Sequence, residues 1–219
     1  MPATKHILVI NPNTNTGTTD TMTKLANQQL TGSGLTAVGA TAAEGPSVIV
    51  DPAALAASVP QVVDAAKKSV DEQTVGIMVA AIGDPGVDEL RQVYDIPIIG
   101  IGGAAVLAAG ADGEPFGMVT TTKELGPSLE ALVRANQTAP FTGLRFTSAT
   151  AEEVAADPKL AITTLSAAID ECTANGAKSV IIGGGPLSAA ADEIAKTSTV
   201  TIVQPVPSAA AYLVKAVGS

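Results

Sequence analysis

VGIMVAAIGDPGVDEL, residues 75–90, is the stretch that decides the fold. A continuous apolar run breaks at Gly83, Asp84, Pro85 and Gly86, and is followed by a helical segment bearing Asp88 and Glu89. An apolar run with no polar alternation is how a strand reads when both of its faces are covered. The glycines and proline mark the turn that ends it. SVIIGGGPLSAAADEI, residues 179–194, repeats the order of strand, glycine turn, proline and helix. Each copy leads into another short strand, IPIIGIG (96–102) and VTIVQPV (200–206). The chain therefore reads as two similar α/β halves.

Further out, β-branched runs alternate with Ala-rich stretches. This pattern predicts mainly parallel sheets clothed by helices. Strands are expected at 7–10, 35–39, 75–80, 98–101, 116–120, 144–147, 179–182 and 201–203. Helices are expected at 18–30, 52–70, 125–136, 158–175, 187–195 and 208–217. The expected fold class is α/β, with two pseudosymmetric flavodoxin-like or Rossmann-like halves and an active-site cleft between them. The first half takes residues 1–104 plus 206–219, and the second takes 105–205.

Composition narrows the function. The 219 residues are 46% hydrophobic but only 2% aromatic, with no Trp, so Ala, Val, Ile and Leu must fill the core. Net charge is −9, and no Lys/Arg run marks a surface for phosphate backbones, which argues against nucleic acid. A single cysteine allows no intrachain disulfide, and one histidine with one cysteine makes no His/Cys metal set. The apolar stretches are short and no export segment is read, so the cytoplasm is the default and no membrane association is expected. The apolar, aromatic-poor composition permits a homo-oligomer.

Open α/β sheets bind ligands beyond the carboxyl ends of their strands. That rule picks out residues 11–15, 83–86, 120–122 and 183–186. The strand at 7–10 runs into Asn11, Pro12, Asn13, Thr14 and Asn15, a cluster of amides and hydroxyls. With backbone N–H groups at helix starts, these suit the oxygens of a small carboxylate or cyclic imide. Residues 183–186 do not continue into a P-loop, and no dinucleotide fingerprint is present.

INPNT (10–14), GDPG (83–86), VTTT (119–122) and the glycine turn at 183–185 together resemble the aspartate/glutamate/hydantoin racemase superfamily, most of all its hydantoin racemase branch. The resemblance runs over nearly the whole chain. It implies a cofactor-independent site and a small acidic or cyclic-imide substrate. It also implies a cysteine in each half, one removing the α-proton and the other delivering a proton to the opposite face. The motifs place those positions at Ala81 and Gly184, whose side chains carry no proton. Two-thiol racemisation is therefore not expected.

Asp84 is the remaining candidate for an acid–base group, with capping of a helix that begins at Pro85 as its plain structural role. Asn11, Asn13, Thr14, Ala81, Ile82, Gly83, Thr120, Thr121, Gly184, Gly185 and Pro186 are the expected substrate-binding residues. For Thr120–122 the structural alternative is N-capping of the following helix, and Lys123 reads as a solvated charge. Cys172 is expected to be a buried structural thiol, and His6 a surface or edge residue far from the site. EGPSVIVD, residues 44–51, reads as a cover over the site or as an ordinary connection.

The expected activity is cysteine-independent lyase or isomerase chemistry on a small carboxylate or cyclic imide. The alternatives are racemisation of hydantoins or amino acids by a non-cysteine base, and a binding protein without catalysis.

Overall fold

The computed structural model describes residues 4–184 and 187–218. Among them the chain forms two compact units. One comprises residues 1–104 with 206–219, the other residues 105–205.

In the first unit, β1 (His6–Asn11), α1 (Thr16–Gln29), β2 (Thr36–Thr41), α2 (Pro52–Ala57), α3 (Val59–Ser69), β3 (Thr74–Val79), α4 (Val87–Arg91), β4 (Ile98–Gly100) and the start of α5 (Ile101–Ala109) follow in order. The sheet runs β2-β1-β3-β4, all parallel. The order reverses between β1 and β3. That reversal is the switch point at which parallel sheets open a crevice beyond their carboxyl ends.

The second unit repeats the plan with β5 (Phe116–Thr120), α6 (Gly126–Asn136), β6 (Phe141–Phe146), α7 (Ala151–Ala156), α8 (Pro158–Ala174), β7 (Ser179–Gly183), α9 (Ser188–Ala195) and β8 (Thr201–Val203). Its sheet runs β6-β5-β7-β8, the same order with four added to each label. The final helix, α10 (Pro205–Val217), belongs almost wholly to the first unit.

Packing follows the strand period of two. In the first unit Leu8, Ile10, Ile77 and Val79 pack with Val62 and Ala66 of α3. On the other face the Gly76 backbone lies against Ile7 of β1 and Leu213 of α10. In the second unit Val119, Val180 and Ile182 meet Leu165, Ile169 and Cys172 of α8. Gly117 leaves room for the Cys172 sulfur, which sits 2.8 Å from where a β-carbon on that residue would lie. Small residues in the strands thus let the helices approach closely. No helix among the described residues is long and apolar enough to cross a membrane.

Several local expectations need correction. The helix expected over 52–70 is two helices. Pro60 lacks the N–H that would continue the ladder, and Ser58 closes the first helix by donating from Oγ to the Leu55 carbonyl at 2.7 Å. The strand expected at 144–147 begins at Phe141; Gly143, at φ 118°, and a register shift against β5 disguise its start. Helices α5 and α7 were not anticipated. Gly102 and Gly103 make α5 look like loop, whereas α7 carries a readable capping box between Thr150 and Glu153. His6 is not a surface residue. It is buried, with Nε2 3.0 Å from the Thr74 hydroxyl and 3.6 Å from the Asp71 carboxylate, and it ties together the starts of β1 and β3.

Candidate active site

Asn11 ends β1 fully buried, and its side chain organises the loop that follows. Its Nδ2 lies 2.9 Å from Asn13 Oδ1 and 3.0 Å from both the Asn15 carbonyl and Thr19 Oγ1. Its Oδ1 accepts the Asn13 N–H at 3.2 Å. Asn13 Oδ1 accepts the Asn15 N–H at 2.9 Å, and Asn15 Oδ1 caps α1 by accepting the Thr18 N–H at 3.1 Å. Each short amide side chain bonds the backbone two or three residues on, as Asx turns do. Asn11 is therefore the internal brace of the loop, and half-buried Asn13 and Thr14 with exposed Asn15 form its accessible part.

Beyond β3, the Ala80 N–H donates to the Ile10 carbonyl at 2.8 Å, so the loop carrying Ala81 continues directly beside β1. Ile82 is buried, while Ala81 and Gly83 are half-buried. Asp84 has φ 52°, the one left-handed non-glycine residue among those described, and Gly86 has φ 78°. Asp tolerates this region better than most residues, yet the conformation is costly and needs surrounding support.

The support comes from the start of α5. Asp84 Oδ1 accepts the Gly102 N–H at 2.7 Å, and Oδ2 accepts the Gly103 N–H at 2.6 Å. A β-carbon on Gly100 would run into the same carboxyl group. The glycines of IGIGG thus let the carboxyl group reach two amides at a helix N-terminus, where a negative charge is favoured. Burial nonetheless pushes the Asp84 carboxyl up to about 7, against the downward pull of the Gly103 and Gly102 amides and of the Arg91 charge. Asp84 does cap a helix, but it is α5; the cap position of α4 is Gly86. The three glycines at 100, 102 and 103 were the missed signal, legible only once the turn is known to fold onto them.

In the second unit the matching strand ends carry neutral groups. Thr120 is fully buried and its hydroxyl lies 3.1 Å from that of Thr122. No side-chain cap forms at Thr122, and a 3-10 turn at Lys123–Leu125 precedes α6, so N-capping does not explain the three threonines. Thr121 is half-buried and Lys123 exposed. Gly184 has φ 140°, a conformation open to glycine, and its carbonyl accepts the Leu187 N–H at 3.0 Å. Gly185 and Pro186 lie outside the described residues.

Within the first unit Asn11, Asn13, Thr14, Ala81, Ile82, Gly83 and Asp84 gather at the ends of the adjacent strands β1 and β3. Within the second, Thr120, Thr121 and Gly184 gather at the ends of the adjacent strands β5 and β7. Cys172 belongs to neither group. It is buried in α8, where burial pushes its thiol up to about 11.

Residues 7–213 match the family model described as Asp/Glu/Hydantoin racemase. The chain is 25% identical over 206 residues to a hydantoin racemase of Paenarthrobacter aurescens, covering 93% of this chain and 87% of that one. Among solved structures, allantoin racemase from Pseudomonas fluorescens superposes with a TM-score of 0.86 at 22% identity, over 95% of this chain and 88% of that one. A mutant of arylmalonate decarboxylase superposes with a TM-score of 0.68 at 17% identity, over 98% and 94% respectively.

Proposed function

Because this chain belongs to the Asp/Glu/hydantoin racemase family, we propose that it performs cofactor-independent, cysteine-independent isomerase or lyase chemistry on a small carboxylate or cyclic imide. A hydantoin-class imide is the leading substrate, given the hydantoin racemase relative. The observation that carries the proposal is Asp84. It is a carboxyl group raised to about 7 in the turn after β3, three residues beyond Ala81, which the family resemblance implies is a cysteine position.

A carboxyl group poised near neutrality is matched to proton transfer at working pH. In the isomerase reading the Asp84 carboxylate takes the proton from the carbon next to the substrate carbonyl. The C–H electron pair moves into an enolate, whose oxygen is stabilised by hydroxyl and amide donors. Water returns a proton to that carbon, and the Asp84 carboxyl group releases its own to solvent. In the lyase reading a carboxyl group leaves as carbon dioxide, and the same enolate accepts a proton at carbon. In the first unit Asn13 and Thr14 are the proposed oxygen-binding groups, with Asn11 holding their loop in shape; Thr121 and Gly184 are the candidates of the second unit.

Proton NMR in D2O tests this with a panel of 5-substituted hydantoins, amino acids, malonates and maleate-like diacids. The expected result is α-deuteration of a hydantoin. Appearance of a new product would assign the lyase reading instead. Silence across the panel would overturn both.

A second reading rests on the two Asp84 oxygens, each already accepting a backbone N–H. That arrangement suits a purely structural cap, and with it a small-molecule binding protein without catalysis. Such a protein would gain thermal stability from a panel member that it never converts.

A further inference from the structure

The segment joining β2 to α3 touches both candidate loops of the first unit. Near its start the Pro46 carbonyl accepts the Thr14 N–H at 3.1 Å. Near its end α2 reaches the turn after β3, where Leu55 Cδ2 and Cδ1 lie 2.7 and 2.8 Å from the position a β-carbon on Gly83 would take. Leu55 is the one large side chain in PAALAA, and no residue of that short helix is fully buried. Leu55 of α2 thus packs on the backbone of the residue before Asp84.

We propose that Leu55 is a positioning residue: packed on Gly83, it holds the strained turn so that the Asp84 carboxyl group stays seated on the Gly102 and Gly103 amides. Three observations support it. Asp84 sits at φ 52°, a conformation that relaxes unless the surroundings enforce it. Gly83 has no side chain, so the isobutyl group of Leu55 occupies the space directly over its backbone. Asp51 fixes the helix end by accepting the Ala54 N–H at 2.8 Å, so Leu55 is presented from an anchored turn. The role in catalysis rests on the proposed acid–base function of Asp84; the role in placing the carboxyl group does not.

The test is a size swap read in two independent ways. Asp84 titration is followed by carbon-13 NMR of its carboxyl group, and kcat and KM are followed on whichever panel member reacts. Leu55→Ala is expected to let water reach the Asp84 carboxyl group, relieving the burial that raises it by more than the lost amide bonds cost, so that its midpoint falls toward the ordinary carboxylate range and kcat falls with little change in KM. Arg91 is the charged group that acts on this carboxyl group, and it is untouched in the variant. Gly83→Ala is expected to do the same by pushing a methyl group into the Leu55 side chain. Leu55→Val combined with Gly83→Ala moves one carbon from the helix to the turn and is expected to restore both readouts toward wild type. A purely structural Leu55 would lower Tm in Leu55→Ala and leave the Asp84 midpoint and kcat unchanged, which would overturn the proposal. A double variant no better than Gly83→Ala alone would overturn it as well. If Asp84→Asn proves fully active, the catalytic reading fails while the NMR midpoints still decide whether Leu55 seats the carboxyl group.

Discussion

The two units share one sheet order but end their paired central strands in different chemistry. At the ends of β1 and β3 stand a bonded amide ladder and Asp84; at the ends of β5 and β7 stand Thr120, Thr121, Thr122 and a run of glycines. The first copy carries GDPG after its strand, and the second carries GGGP. Repetition of a scaffold thus leaves the strand-end loops free to diverge, because the sheet is specified by strand residues and the loops are not. In this division the first unit carries an acid–base candidate at its strand ends, and the strand ends of the second carry neutral groups.

The sharpest way to break that division is Asp84→Asn. Loss of a general base typically costs roughly 100- to 10,000-fold, and kcat/KM is expected to fall by that order with the circular dichroism unchanged. The limb of the pH–rate profile near 7 should vanish with it. Full activity would remove Asp84 from the chemistry. Gly100→Ala should follow closely, since its methyl group would displace the same carboxyl group. A misplacement of about 1 Å can lower the rate about 100-fold, and overpacking of this kind costs roughly 1–3 kcal/mol in stability. Activity and urea unfolding measure the two effects.

The strand-end residues themselves offer a smaller contrast. Asn11→Ala removes the hub of the first loop and is expected to cost roughly 2–4 kcal/mol, because one buried and three partly buried hydrogen bonds are lost. Thr120→Val removes a hydroxyl, with its contacts to the hydroxyl and the N–H of Thr122, at nearly constant volume and is expected to cost about 1 kcal/mol. Equal losses in denaturant titrations would mean that the two loops are built with the same rigidity.

The pH dependence of stability separates Asp84 from its background. Its folded carboxyl pKa lies above the ordinary value, at about 7, so between about 4 and 7 the folded chain binds more protons than the unfolded one. This contribution is fully present below pH 4 and is lost as pH rises through 7. The Tm of the wild type relative to Asp84→Asn is therefore expected to fall across that window and to level off above it. A constant difference would mean that Asp84 titrates as an ordinary carboxyl group.

The strands and the duplicated plan were legible in the sequence because most of these buried parallel strands write themselves as short apolar runs. The strand-end loops were legible as places, since the carboxyl-end rule needs only the strands. Their internal bonding was not. Nothing local distinguishes Asn11, whose amide is committed to its own loop, from Asn13, which is half-buried beside it. Asp84 reads as a cap for the helix just after it, whereas it bonds amides 18 and 19 residues on. That contact depends on β4 lying next to β3, a tertiary fact that no local pattern encodes. The corrected position of His6 has the same origin, since its partners Asp71 and Thr74 arrive from β3 and the turn before it.

Cys172 supplies the smallest expected effect and a clear discrimination. It lies in α8 against the Gly117 backbone of β5, with its Sγ 3.9 Å from the Met118 carbonyl, and its thiol is raised to about 11. A thiol so raised is almost wholly protonated at neutral pH and is a poor nucleophile or base. Cys172→Ala should therefore leave kcat and KM unchanged, while the small cavity that it opens lowers stability by about 1 kcal/mol. A thiol-blocking reagent should likewise leave the native enzyme active. Loss of turnover in Cys172→Ala without loss of fold would return the chemistry to a cysteine and place it in the second unit, reversing the asymmetry between the two halves.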